Sequence, residues 1–152
     1  QGFAPVWIEW DAGKGWRLSA SPSPGGSYDA NRVDRWTGLM CSRDPYAARL
    51  ARHLQPVVVW VIRQGAPPEH IAVVAGQARG QGNIGFVSAM LPLMQGAAAL
   101  PALRERVRQT RLSDTQYYSY VLTLFGTGWD TRRFRFDAHG YLVSDWSRKC
   151  SR

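Results

Sequence analysis

A chain of 152 residues with 45% hydrophobic and 12% aromatic side chains can bury one core, which excludes a disordered tail or linker. Its formal charge is +8, from 19 Lys and Arg against 11 Asp and Glu, and Lys14 and Lys149 are its only lysines. An arginine-rich basic surface suits neutral or acidic partners, and no apolar run approaches the roughly 18 residues that span a membrane.

In chain order, residues 5–20 read as a hairpin. Val6, Ile8 and Trp10 alternate with Trp7 and Glu9, Asp11 to Gly15 turn the chain, and Trp16 and Leu18 continue the apolar face. The Gly13-x-Gly15 pair lacks the third glycine and the following helix of a phosphate loop, and so reads as a turn. Residues 19–27, SASPSPGGS, form a flexible loop, and YDANRVDRWTG after it is polar, with one irregular helical turn. Asp44 and Pro45 start a helix whose buried stripe is Tyr46, Leu50 and Leu54, and Pro56 stops it.

Pro56 to Met90 then carries three short apolar runs rich in β-branched or aromatic residues, Val57–Ile62, Ile71–Ala75 and Ile84–Ala89. Bounded by Gly, Pro, Asn and Gln, they read as a three-strand antiparallel meander. Pro101 opens a second main helix, on which Arg104, Arg108 and Arg111 share one face. Tyr117–Phe125 is apolar on both alternating faces and reads as a central strand. Gly126-Thr-Gly-Trp129 reads as an exposed loop, and Arg132–Asp137 with Tyr141–Trp146 as a closing hairpin. The expected fold is α+β: a single domain over residues 1–152, mainly antiparallel sheet packed with two main helices.

The motifs that carry chemistry are sparse. Cys41 and Cys150 are the only cysteines, and a disulfide between them would close a long loop and contribute about 2–4 kcal/mol. Such a bond belongs to an oxidising compartment. With Gln1 rather than Met in first place, it leads to the expectation of a processed, exported protein, periplasmic or secreted. The competing reading makes Cys41 a nucleophile and His70 its base. A Cys before a helix and a His opening a strand resembles the order in cysteine peptidases and amidases that cleave cell-wall peptides. The resemblance implies a thiol hydrolase, but the Asp-Cys-Ser-Gly run of that group is Met40-Cys41-Ser42-Arg43 here.

His53, His70 and His139 have no metal-ligand spacing, and no metal or cofactor is expected. Glu9, Asp11, Asp29 and Asp34 lie near loops, without a spacing that pairs any two for acid–base hydrolysis. Arg132, Arg133 and Arg135 interleaved with Phe134 and Phe136 would suit base stacking, which keeps nucleic-acid binding as a further alternative. Without a catalytic signature, the leading expectation is a non-catalytic protein-binding domain, an inhibitor, an immunity-type protein or an accessory envelope subunit. Its binding surface would comprise Trp7, Arg32, Arg35, Trp36, Trp129 and Arg132, types enriched at binding hot spots, set against an acidic or neutral protein.

Overall fold

The structure, a computed structural model, describes residues 2–19 and 30–146. It corrects the sheet-dominated expectation: the described chain is helix-rich, with three separate two-stranded hairpins. Strands β1 (Ile8–Asp11) and β2 (Gly15–Leu18) pair antiparallel, with Trp10 opposite Trp16. The Asp11 carboxylate accepts from the Gly13 and Lys14 amides and sets the turn.

Helix α1 (Asn31–Leu39) replaces the irregular turn expected there. Its inward face is Asn31, Asp34, Arg35 and Leu39, a helical spacing made mainly of polar side chains, so a search for apolar periodicity passes over it. Helix α2 (Ala47–His53) starts close to the expected place, with the Asp44 carboxylate accepting from the Tyr46 amide at 2.8 Å. Of the expected stripe only Leu54 is buried; Tyr46 and Leu50 are exposed.

Pro56 does not end that helical region. It lies in the first turn of helix α3 (Gln55–Gln64), where its missing N–H has no intrahelical partner to lose. Val57, Val58 and Val61 are buried while Val59 and Ile62 face solvent, a helical rather than a strand alternation. The β-branched residues give up a few tenths of a kcal/mol each in helix propensity. Burying each one returns roughly 1.5–3 kcal/mol, so packing decides. Gly65, at φ 73°, closes α3 in the left-handed conformation.

Neither hairpin of the expected meander forms: strand β3 (His70–Ala72), which overlaps its second run, pairs instead with β4 (Gln77–Arg79), a segment outside all three runs. The third run is helix α4 (Ile84–Met90), capped by the Asn83 side chain, which accepts from the Phe86 amide at 3.2 Å. Every residue of α4 is buried, so no amphipathic period marks it. Helix α5 (Leu100–Gln109) has Pro101 in its first turn, as read from sequence.

The expected central strand is helix α6 (Tyr117–Asp130), and Gly126 to Trp129 form its last turn rather than a loop. Ser119, Leu122 and Gly126 line one stripe of α6 against α4. A Cβ at Gly126 would stand 1.9 Å from the Ser88 carbonyl oxygen, so only glycine permits this approach. Strands β5 (Phe134–Phe136) and β6 (Leu142–Ser144) form the closing hairpin. The main core joins α3, α4 and α5 through Val57, Val61, Val87, Met90, Leu91, Met94 and Leu103.

Candidate functional site

The six residues chosen from sequence as a binding surface do not form one surface. Trp7 is exposed beside the first hairpin. Arg35 is buried; its guanidinium lies 5.3 Å from the Trp36 ring centre and 5.2 Å from that of Phe125. Trp36 tilts onto Phe136, which packs on Phe134, and Phe134 meets Phe125 edge-on at 6.2 Å. These contacts make an aromatic shelf across α1, α6 and β5 in which Arg35 is a packing element as much as a charge.

Trp129 belongs to a second pair. The Arg135 guanidinium sits 3.8 Å above its ring and donates to its carbonyl oxygen. Burial lowers the pKa of both Arg35 and Arg135, by removing water from the charged form. Arg132 is exposed and follows the α6 cap with φ 63°, a helix end more often taken by glycine. Arg32 is exposed on α1.

Cys41 is half-buried just past the end of α1, and it is a free cysteine; Cys150 and the disulfide expected with it lie outside the described residues. His70 is exposed and lies 3.8 Å from the Glu69 carboxylate, and no described hydrogen bond joins it to Cys41. Among the described residues no group of three or more His, Cys, Asp or Glu could hold a metal ion.

Most carboxyl groups are committed to local structure. Glu9 pairs with Arg17 at 3.2 Å and accepts from the Ser19 hydroxyl; Asp11 holds its turn. Asp130 receives two hydrogen bonds from Arg104, at 2.7 and 2.8 Å, tying α6 to α5. The Tyr141 and His139 amides hold Asp137 below the usual carboxylate range. Asp34 is the exception. It is buried on α1, and burial alone pushes its carboxyl up to about 7.

Asp34 lines a cavity with Asn31, Phe3, Ala4, Pro67, Pro68, Ile71 and Phe86, of about 10 Å³ for the centre of a water-sized sphere. That admits about one water molecule and no sugar ring. A wide surface depression at Arg49, Leu50, Arg52 and His53 is lined by no carboxylate. Asp29, two residues past the expected flexible loop, lies outside the described residues. The sequence reading missed the Asp34 cavity because nothing local distinguishes a buried aspartate from a surface one.

Of the six residues chosen from sequence, Arg35 and Trp129 are taken up in packing, whereas Trp7, Arg32, Trp36 and Arg132 are exposed at separate places. The sequence profile described as Glycosyl hydrolases family 8 matches residues 1–132, and the chain belongs to that family. It is 43% identical over 150 residues to an endoglucanase of Salmonella typhi, covering 99% of this chain and 41% of that protein. An endoglucanase of Escherichia coli is 42% identical over 151 residues, covering 99% and 41%.

Among solved structures, the endo-1,4-D-glucanase of Vibrio fischeri superposes with a TM-score of 0.89 at 30% identity, over 96% of this chain and 44% of that one. The helices agree with the (α/α)6-barrel type of fold of the family. The chain spans about two-fifths of the length of the curated relatives it matches.

Family membership overturns the expectation of a non-catalytic inhibitor, immunity-type protein or accessory subunit with a protein partner. The thiol-hydrolase and nucleic-acid alternatives give way to the same finding. Glycoside hydrolases ordinarily work with carboxyl groups rather than a thiol. Among the described residues no helix is long and apolar enough to cross a membrane.

Proposed function

We propose that this chain forms part of an endoglucanase that hydrolyses internal bonds of a 1,4-linked D-glucan. The observation that carries the reading is the identity of 42–43% across 99% of the chain to relatives named endoglucanase. Hydrolysis needs one carboxylic acid to protonate the leaving glycosidic oxygen. A second carboxylate activates the water or attacks the sugar directly. Of the four carboxylates weighed from sequence, Glu9 is neutralised by Arg17, Asp11 is held by its own turn, and Asp34 sits where no sugar fits. Asp29 is the one left for such a role.

A polymeric substrate does not cross a cell membrane, which supports a periplasmic or secreted location. The exposed Trp7, Trp10 and Trp16 offer flat apolar faces of the kind that pack against sugar rings. The test is incubation of the protein with soluble 1,4-D-glucan, following viscosity and reducing ends together. A fall in viscosity well ahead of reducing-end release is expected, with Asp29→Asn reducing the rate at least a hundred-fold. No cleavage by the unaltered protein, or an Asp29→Asn variant of full activity, would reject the respective part of the reading.

A further inference from the structure

Helix α1 directs a carboxyl and a carboxamide oxygen into an otherwise apolar cavity. Asp34 and Asn31, one turn apart, are 7% and 5% exposed, and the Asn31 Oδ1 has no hydrogen-bond partner among the described residues. Every other described wall is apolar: Phe3 and Ala4 from the N-terminal strip, Ala30, Pro67 and Pro68 from the loop before β3, Ile71 of β3 and Phe86 of α4.

Among the described residues no cation stands at these walls to hold an aspartate anion. On α1 itself, Arg32 is exposed and Arg35 is turned to the Trp36 and Phe125 rings. On the β3–β4 hairpin, Glu69 and His70 face one another and Arg79 is exposed. Helix α4 carries no charged residue. Burying an unpaired charge costs several kcal/mol, whereas a neutral carboxyl can share a cavity of this size with one water and the Asn31 oxygen.

We propose that Asp34 is a proton-operated latch: neutral, it stays under the Phe3–Ala4 strip and the Pro67–Pro68 loop; ionised, it loosens both from α1. The strip leads directly into β1, so the latch also governs how firmly the Trp-bearing first hairpin is held to the body of the protein. The sign follows from the raised proton affinity of the folded state. Between the ordinary aspartate value of 3.8 and about 7 the unfolded chain releases this proton first, and stability falls as pH rises. Above about 7 the loss is complete and stays constant.

Over that window Asp34 should lower the folded-to-unfolded ratio by up to roughly a thousand-fold, a contribution absent from Asp34→Asn. Denaturant unfolding of both proteins at about pH 3 and about pH 8.5, on either side of the window, reads this difference. Equal pH dependence in the two proteins would overturn the proposal. Infrared spectroscopy of the unaltered protein provides a measurement that does not need the variant to fold. A protonated-carboxyl band persisting at pH 6 and lost by about pH 8 is expected, and a band already absent at pH 6 would overturn it. Hydrogen exchange then locates the effect. After correction for intrinsic rates, amides of residues 3–10 should lose protection above pH 7 ahead of those in α4, and uniform protection throughout would exclude a latch.

Discussion

Helices α1 and α4 pack against one another and solve the burial of polar groups in opposite ways. Helix α4 is buried on every side yet has its polar groups provided for. Asn83 caps it, and the Ser88 hydroxyl donates to the Ile84 carbonyl at 2.9 Å and lies 3.1 Å from the Thr123 hydroxyl on α6. Helix α1 is only half-buried, with no side-chain cap, and Asn31 Oδ1 and Arg35 Nε have no hydrogen-bond partner among the described residues. Helix α4 contributes buried side chains to both cores of the described chain. The responsiveness of the molecule to its surroundings is concentrated in α1, because an imperfectly satisfied polar group is the one whose state solution conditions can change.

Breaking α4 should therefore have the largest effect. Phe86 is 1% exposed, contacts Ala89 and Leu122 in a small core of its own, and meets Tyr118 edge-on at 6.5 Å. Phe86→Ala should cost about 3–5 kcal/mol in denaturant unfolding. Phe86 also walls the Asp34 cavity, so the same variant should admit water there and flatten the pH dependence attributed to Asp34.

Next comes the seam between α4 and α6. Gly126→Ala places a methyl group against the Ser88 carbonyl, a backbone neighbour with no rotamer to move, and should cost roughly 3 kcal/mol. Thermal unfolding reads it, and an unchanged midpoint would show that the two helices are not locked at this glycine. The smallest effect makes α4 resemble α1 at its start. Asn83→Ala removes the cap on the Phe86 amide and should cost about 1 kcal/mol, leaving the pH dependence from Asp34 intact.

The same contrast explains how much of the fold and the site was legible in the sequence. The first and last hairpins could be read because their turns use local chemistry, Asp11 and Asp137 each accepting from backbone amides a few residues on. Pro101 announced α5 by the same kind of local rule. Ile84–Ala89 was read as a strand because a short apolar run has no period when neighbours cover every face, and Val57–Ile62 and Tyr117–Phe125 because apolar side chains occupy their exposed faces as well as their buried ones. Asn83 ahead of Ile84 was the one signal that favoured a helix there, and Pro56 was readable as a start as well as a stop. As for the site, Arg35 and Trp36 were picked out by residue type, but only packing shows that Arg35 is buried between rings.

By itself the sequence determined a basic, aromatic-rich globular chain and the positions of two hairpin turns. These depend on composition and on interactions a few residues long. Only the tertiary structure decided that α4 and α6 are helices, that Gly126 is where they touch, and that Asp34 lies in a small, largely apolar cavity. Each of these depends on neighbours far away in the chain. Burial fixes both which secondary structure an apolar run adopts and how tightly a carboxyl holds its proton, and burial is a property of the assembled fold.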